Sequence, residues 1–260
     1  MHGSLADDGS LRALFWPFET GTLSVPASPV LFFGARPGAW IGAQTTAGWQ
    51  CEQPFAPWAE ALRQQRIAVQ PRLEAGACAT TLLLPPRQRD EARSLLARAL
   101  RSTAADGLLV AAAGNNDGAR SLESDLRALA GAVHSQSKHK SRVLWARVDP
   151  AAIDRQLMDE WLALDEPRRL GEGDAAFWTR PGLFAWDRVD AASALLAAQL
   201  PDTFGGRVAD LGAGWGYLSM QLLRRCPGIT ALDLYEANAR ALDPARRNLA
   251  DVLAGRTLPA

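Results

Sequence analysis

The stretch that most constrains this chain is Val208 to Gly216, which reads Val-Ala-Asp-Leu-Gly-Ala-Gly-Trp-Gly. A short apolar run ends just after Asp210, three glycines follow at alternate positions, and the helix-compatible run Tyr217 to Arg225 comes next. This pattern predicts a strand, a tight glycine-rich turn and a helix. Glycine lets the backbone turn sharply and lets a ligand approach the main chain, while the unpaired N–H groups of the helix point at the same place. The stretch therefore predicts a ligand site.

The glycine spacing separates two classes of cofactor. Dinucleotide sites use G-x-G-x-x-G, with the third glycine five residues after the first, whereas here Gly216 comes four after Gly212. A second apolar run, Ile229 to Tyr235, predicts the next strand, and an acid, Glu236, follows it directly. Asp233 is a rival acid, but it lies inside the run. A nicotinamide-dependent oxidoreductase is an alternative that the glycine spacing disfavours.

The loop variant resembles motif I of the class I S-adenosylmethionine-dependent methyltransferases. Further stretches resemble one family, the ribosomal RNA guanine-N2-methyltransferases of the methyltransferase-small-domain type. They are Gly114 to Ser121, Pro181-Gly182-Leu183-Phe184, Asp190 with Ser193 before a leucine-rich helix, Asp210 to Gly216, and Leu234-Tyr235-Glu236. The resemblance covers residues 80 to 250 and implies S-adenosyl-L-methionine as cofactor and ribosomal RNA as partner.

The same resemblance implies roles for individual residues. The methionine part of the cofactor would lie against the loop, and Glu236 would accept hydrogen bonds from both ribose hydroxyls. Phe184 and Ser193 would line the pocket, with core packing for Phe184 and a helix surface for Ser193 as alternatives. Trp215 would shield the cofactor or simply pack in the domain. The cofactor-binding set is Asp210, Gly212, Ala213, Gly214, Gly216, Glu236 and Phe184.

The first half alternates predicted strands and helices, which favours an α/β sheet. The first helix is expected from Gly9 to Phe18, stopped by Pro17, and the last five elements alternate strand and helix. They are a strand at 79–84, a helix at 87–100, a strand at 108–113, a helix at 119–130 and a strand at 143–148. Later in the chain we expect an extended stretch from Phe177 to Ala185 and a helix from Asn238 to Leu253.

The family resembles a duplication, and the predicted fold class is α/β, with a degenerate N-terminal methyltransferase-like domain before the first part of a Rossmann-like class I methyltransferase domain. Residues 1–150 would be the degenerate domain, 151–180 a connector and 181–260 the incomplete S-adenosylmethionine-binding domain. Phe33-Gly34 to Gly38 would be a decayed glycine loop. Leu84-Pro85-Pro86 would stand where an active domain carries Asn-Pro-Pro-Phe, or would only end a strand.

The catalytic residues are unknown from this sequence. In the family the Asn-Pro-Pro motif follows the fourth strand of the second domain, but no Asn-Pro-Pro occurs here, and only residues 237–260 follow Glu236. We therefore expect a C-terminally truncated chain, with the motif encoded further downstream. The alternative is a non-catalytic methyltransferase-like binding protein or fragment, in which an unpaired sheet edge would favour self-association.

The charge balance argues against strong global attraction to nucleic acid. Residues 1–150 carry 16 basic and 13 acidic side chains, and residues 151–260 carry 12 and 15. Contact with RNA would need a local patch, and the most basic cluster is Arg87, Arg89, Arg93, Lys138, His139, Lys140 and Arg142.

Other features favour a cytoplasmic protein. No uncharged apolar run is long enough for a transmembrane helix, and Met1 to Ser10 lacks the pattern of a secretory signal. Cys51, Cys78 and Cys226 are scattered without metal-ligand spacing, so we expect reduced thiols and no metal site.

Overall fold

The chain divides between Asp165 and Glu166 into two units, described here as the first and the second unit. The structure, a computed structural model, describes residues 8–38, 46–74 and 76–254. Residues 1–7, on which part of the signal-sequence prediction rests, lie outside the described residues.

The first unit is built on one seven-stranded sheet with the order β3-β2-β1-β4-β5-β7-β6. The first five strands in this order are parallel, and β7 runs antiparallel to both β5 and β6. The strands are β1 (Val30–Phe33), β2 (Trp49–Glu52), β3 (Ala68–Gln70), β4 (Cys78–Leu83), β5 (Thr103–Gly114), β6 (His134–Lys138) and β7 (Ser141–Arg147).

Helices cover both faces of this sheet. They are α1 (Gly9–Glu19), α2 (Ala56–Gln64), α3 (Arg89–Arg101), α4 (Ala119–Ala130) and α5 (Arg155–Ala163). One core joins alternate strand residues to α3, α4 and α5, and a second core joins the remaining strand residues to α1 and α2. All four residues of β1 are apolar and buried. This is expected for a parallel strand whose two faces are each covered by a layer of helices.

The second unit holds a parallel pair, β10 (Gly206–Leu211) and β11 (Ile229–Tyr235), and an antiparallel pair, β8 (Arg168–Leu170) and β9 (Phe177–Thr179). Its helices are α6 (Ala191–Gln199), α7 (Tyr217–Arg225) and α8 (Leu242–Ala254). One apolar cluster, which includes Phe177, Trp215, Leu223 and Val252, holds them together.

The α/β fold class predicted from the sequence is confirmed, and several element bounds need correction. Helix α1 passes through Pro17 to Glu19, since the apolar face that includes Pro17 is buried in the core. The predicted extended stretch from Phe177 ends at Thr179, and turns follow it. The predicted helix from Asn238 begins as a 3-10 turn at Ala239–Ala241 and becomes α-helical only at Leu242.

Candidate cofactor site

The glycine loop joins the end of β10 to the start of α7. Gly212, Gly214 and Gly216 have φ values of 79°, 55° and 91°, which L side chains rarely adopt. A Cβ added to Gly212 or Gly214 would meet no atom within 4 Å, whereas one on Gly216 would lie 3.5 Å from the Cβ of Ala245. The first two glycines therefore leave open space in front of the loop, and the third sits against α8.

The end of β11 holds this loop through the main chain. The carbonyl of Tyr235 accepts the N–H groups of Gly212 (2.8 Å) and Ala213 (3.1 Å), and the carbonyl of Ala213 accepts the N–H of Gly216 at 2.8 Å. These bonds fix the conformation of the turn, so they also fix the direction of the other main-chain N–H and C=O groups of the loop.

Glu236 is the acid that the structure brings to the loop. Its Oε2 accepts the N–H of Gly214 at 2.8 Å, and its Oε1 accepts the N–H of Asn238 at 2.7 Å. The rival acid, Asp233, instead pairs with Arg207 of the neighbouring strand at 2.7 Å, and the hydrogen bond from Arg207 lowers the pKa of Asp233. Asp233 thus pairs within the sheet, while Glu236 is bonded to the glycine loop.

Asp210 links β10 to α7. Its carboxylate is 8% exposed and accepts the hydroxyl of Ser219, a fully buried residue in α7, at 2.6 Å. The side chain also lines the cleft in front of the loop, so a fixed negative charge lies beside the open space.

This cleft is open to solvent and has a volume of about 460 Å³ when the solvent space at its mouth is included. Asp210, Gly212, Ala213 and Gly214 line it together with residues outside the loop. The latter are Phe184, Ala185, Asp190, Ser193, Trp215, Tyr217 and Leu218. Five of the seven predicted binding residues thus line the cleft. Of the other two, Glu236 is bonded to the N–H of Gly214, and Gly216 is the N-cap residue of α7.

Two cleft residues from the Pro181 to Ser193 segment differ in how they are held. Phe184 is 73% exposed, so its ring is not part of the core in this structure. Asp190 caps α6 by accepting the N–H and the hydroxyl of Ser193 at 2.9 and 3.1 Å. The hydrogen bond from the Ser193 N–H is the main cause of the lowered pKa of Asp190.

Trp215 points inward and packs in the second unit. Its ring is stacked on Phe177 of β9, with centroids 4.2 Å apart and an interplanar angle of 13°. Its carbonyl accepts a hydrogen bond from the side-chain amide of Asn248 in α8. Sequence reasoning missed Asn248, although an asparagine on the apolar side of an amphipathic helix is a usable signal for a buried polar contact.

The first unit contains a counterpart of this loop after β1, reading Gly34-Ala35-Arg36-Pro37-Gly38. The N–H of Ala35 bonds to the carbonyl of Glu52 at the end of β2, as that of Ala213 bonds to Tyr235. Arg36 stands where the second loop has Gly214, and it pairs with Asp8 at 3.0 Å. A Cβ on Gly38 would lie 2.6 Å from Leu11 of α1. Side chains of its own unit therefore lie close against this loop.

The residue at the end of β2 that corresponds to Glu236 is Gln53. Its Oε1 accepts the N–H of Phe55 at 2.9 Å, and its Nε2 donates to the carbonyl of Ala35 at 2.6 Å. Because one end of an amide donates and only the other accepts, Gln53 does not offer the two acceptor oxygens of a carboxylate. Leu84-Pro85-Pro86 follows β4, the strand that pairs with β1 on the side away from β2.

The basic cluster predicted from the sequence is divided in the structure. Arg87 pairs with Asp117 at 3.0 Å, Arg93 makes two hydrogen bonds to Asp125, and Arg142 pairs with Glu123. Lys138 lies over the ring of Trp16, with its Nζ 4.5 Å from the centroid. Much of the positive charge is therefore neutralised locally.

Within the described ranges no group of three or more His, Cys, Asp or Glu could hold a metal ion. The described helices also include none that is both long and apolar enough to cross a membrane.

Comparison with known proteins matches this geometry. The chain aligns with a T. thermophilus 16S rRNA N2 methyltransferase, solved in complex with AdoMet and guanosine, with a TM-score of 0.75 and 22% identity. The alignment covers 94% of this chain and 66% of that one. This likeness, the sheet order and the glycine loop define a class I methyltransferase fold.

Sequence comparison points in the same direction. Residues 174–255 match the family described as the methyltransferase small domain. A ribosomal RNA small subunit methyltransferase C of Pseudomonas aeruginosa is 27% identical over 225 residues, which are 86% of this chain and 67% of the relative. The protein of the same name from Stutzerimonas stutzeri is 39% identical over 82 residues, 32% of this chain and 24% of the relative. The chain thus spans at most about two thirds of these proteins.

Proposed function

We propose that the second unit binds S-adenosyl-L-methionine in the cleft before the glycine loop. We further propose that the protein acts in methyl transfer to the exocyclic N2 of a guanine in small-subunit ribosomal RNA. The observation that carries the proposal is the carboxylate of Glu236, bonded to the N–H of Gly214 beside the open face of the loop. The match of residues 174–255 to the methyltransferase small domain and the names of the relatives support it.

The residues present fit this cofactor. The space before Gly212 and Gly214 lets a ligand reach the main chain, because no Cβ and no neighbouring side chain fills it. The carboxylate oxygens of Glu236 are acceptors that suit a pair of ribose hydroxyls, and Asp210 adds negative charge near a cationic ligand. When bound, the cofactor supplies a methyl group on a positively charged sulfur. The chain binds and orients it.

The proposal assigns no catalytic residue in this chain. Enzymes that modify a base must take it out of its stack, after which positioning supplies much of the rate enhancement. The resemblance gives that positioning to an Asn-Pro-Pro motif, and this sequence does not contain one. Cofactor binding is therefore the step for which this chain supplies identified residues.

Calorimetric titration with S-adenosyl-L-methionine tests cofactor binding, with NADH titrated in parallel as the ligand of the alternative oxidoreductase. We expect micromolar binding of S-adenosyl-L-methionine and none of NADH. Absence of binding by the folded chain would instead support the non-catalytic alternative.

We also propose that the first unit is a degenerate copy that does not bind the cofactor. Arg36 in place of a glycine, Gln53 in place of an acid and Leu11 against Gly38 support this assignment. It predicts a stoichiometry of one cofactor per chain in the same titration. Two equivalent sites would contradict it.

Self-association is a second candidate property, favoured by the sheet of the second unit. In the described part of the chain, β10 pairs with β11 alone, and Leu211 at its end is exposed. An unpaired strand edge is a template for pairing with another chain. Sedimentation velocity over a hundredfold range of concentration should show a dimer, and a monomer throughout would exclude it.

The ribosomal RNA substrate would place the protein in the cytoplasm.

A further inference from the structure

The side chain of Asn248 bridges two separate backbone segments of the second unit. Its Nδ2 donates to the carbonyl of Trp178 in β9 and to the carbonyl of Trp215 in the glycine loop, both at 2.8 Å. Its Oδ1 accepts the N–H of Trp178 at 2.5 Å. The residue is 1% exposed, so these bonds are made away from water.

We infer that Asn248 is a positioning residue, which holds the peptide between Trp215 and Gly216 in the orientation that keeps the glycine loop ready to bind S-adenosyl-L-methionine. The inference rests on the proposed function, and it assigns a role to a residue that touches neither the cleft nor the reacting atoms.

The loop needs such a bond because its glycines restrict the backbone little. Gly214 and Gly216 flank Trp215, and glycine populates many φ and ψ values, so the Trp215 peptide would rotate easily if it were unbonded. Rotation would redirect the N–H of Gly216, which now donates to Ala213, and would shift Gly214, which now donates to Glu236. The amide of Asn248 fixes the carbonyl at the centre of this set.

The bond also ties the loop to a second support. Trp178 follows Phe177, whose ring stacks on Trp215, so β9 contacts the loop residue through a side chain and through the Asn248 amide. Both amide hydrogens are used, one on each segment, and this requires a side chain with two donors and one acceptor. Aspartate has the same shape, but when ionised it donates to neither carbonyl.

The test is the variant Asn248→Asp beside two controls in the same helix. Asp251→Ala removes a second contact of α8 with β9, the bond from the Trp178 indole at 3.2 Å, and leaves the loop untouched. Val252→Ala removes the two γ-methyl groups of valine from the apolar core and reports the effect of lost stability alone.

We expect Asn248→Asp to weaken binding of S-adenosyl-L-methionine about tenfold or more, since two buried carbonyls lose their donor. The two controls should bind within about twofold of wild type, even where Val252→Ala lowers the melting temperature as much as Asn248→Asp does. Equal binding by Asn248→Asp and wild type, or equal loss in Val252→Ala, would overturn the inference.

Hydrogen exchange separates this inference from the proposed function. In Asn248→Asp the amides of Gly214 and Gly216 should exchange faster than in wild type, while amides of β11 stay protected. This readout needs no cofactor. If wild type fails to bind S-adenosyl-L-methionine, the proposed function fails, and the exchange of these two amides still decides whether Asn248 positions the loop. Unchanged exchange would refute it.

Discussion

The carboxylate of Glu236 accepts the main-chain N–H of Gly214, which lies 22 positions earlier in the chain, at 2.8 Å. The end of one strand and the loop after its neighbour are thereby joined through the side chain that is proposed to hold the ribose.

We expect Glu236→Gln to weaken binding of S-adenosyl-L-methionine about tenfold, because an amide keeps one acceptor oxygen and replaces the other with a donor. The matched control is Asp233→Asn, which changes the rival acid on β11 and breaks only its exposed pair with Arg207. Calorimetry on both variants makes the comparison. Equal losses in the two, or none in Glu236→Gln, would remove the ribose role from Glu236.

Gly214→Ala should impair binding more than it impairs folding. At a φ of 55° an alanine is strained by roughly 1–2 kcal/mol, and its methyl enters the space left open for the ligand. Gly206→Ala is the control, since Gly206 has a φ of 68° and open surroundings at the start of β10. Thermal unfolding should show similar losses for the two variants, and titration should show lost affinity in Gly214→Ala only. Similar affinities would argue against a ligand at the loop.

Because Glu52 and Arg98 form a buried ion pair, we expect a single substitution in the pair to lower the free energy of unfolding more than the double substitution does. Both side chains are below 10% exposed, and the guanidinium also donates to the carbonyl of Leu73. Arg98→Met should lower the free energy of unfolding by about 3–5 kcal/mol, since it leaves a buried carboxylate without its partner. The double variant with Glu52→Gln should recover a large part of that loss in urea unfolding. Equal stabilities of the single and double variants would contradict this account.

Cys51 should be unreactive in the folded protein. Burial raises the pKa of its thiol to about 12, so at pH 8 only about one molecule in ten thousand carries a thiolate, the form that reacts. Iodoacetamide treatment followed by peptide mass analysis should label Cys51 in urea and leave it intact in buffer. Native labelling at the rate of an exposed thiol would show that the strand opens.

The sequence was most informative where apolar runs and glycines coincide. Helix α7 and strand β11 have the predicted bounds, because each is an apolar run with a distinct break at both ends. The sequence pattern predicts neither β3 nor β6. Strand β3 has three residues, and β6, His-Ser-Gln-Ser-Lys, is a polar edge strand whose hydrogen bonds to β7 come from tertiary context. The turn after β6 gave no signal either, since His139 and Lys140 adopt positive φ without a glycine.

The site shows the same division. The loop, Asp210 and Glu236 are local to two strand ends, so their spacing along the chain indicated their proximity. The contact of Asn248 with Trp215 spans 33 positions and depends on how α8 packs, and spacing alone does not reveal such a contact. The pairing of Arg87 and Arg93 with acidic residues likewise depends on neighbouring elements. Counting basic residues along the sequence therefore overestimates the net positive charge of that surface.

We expect the two glycine loops of this chain, Gly34 to Gly38 and Gly212 to Gly216, to respond differently to mutation. In the first, Arg36 pairs with Asp8 and Leu11 lies against Gly38, so on the proposal that this copy binds no ligand, changes there should affect only folding. A Cβ on Gly212 or Gly214 of the second would meet open space, so a substitution there should leave the fold intact and still weaken the proposed binding of the cofactor. Tolerance to substitution, measured across both loops in one library, would therefore report which copy still has a ligand.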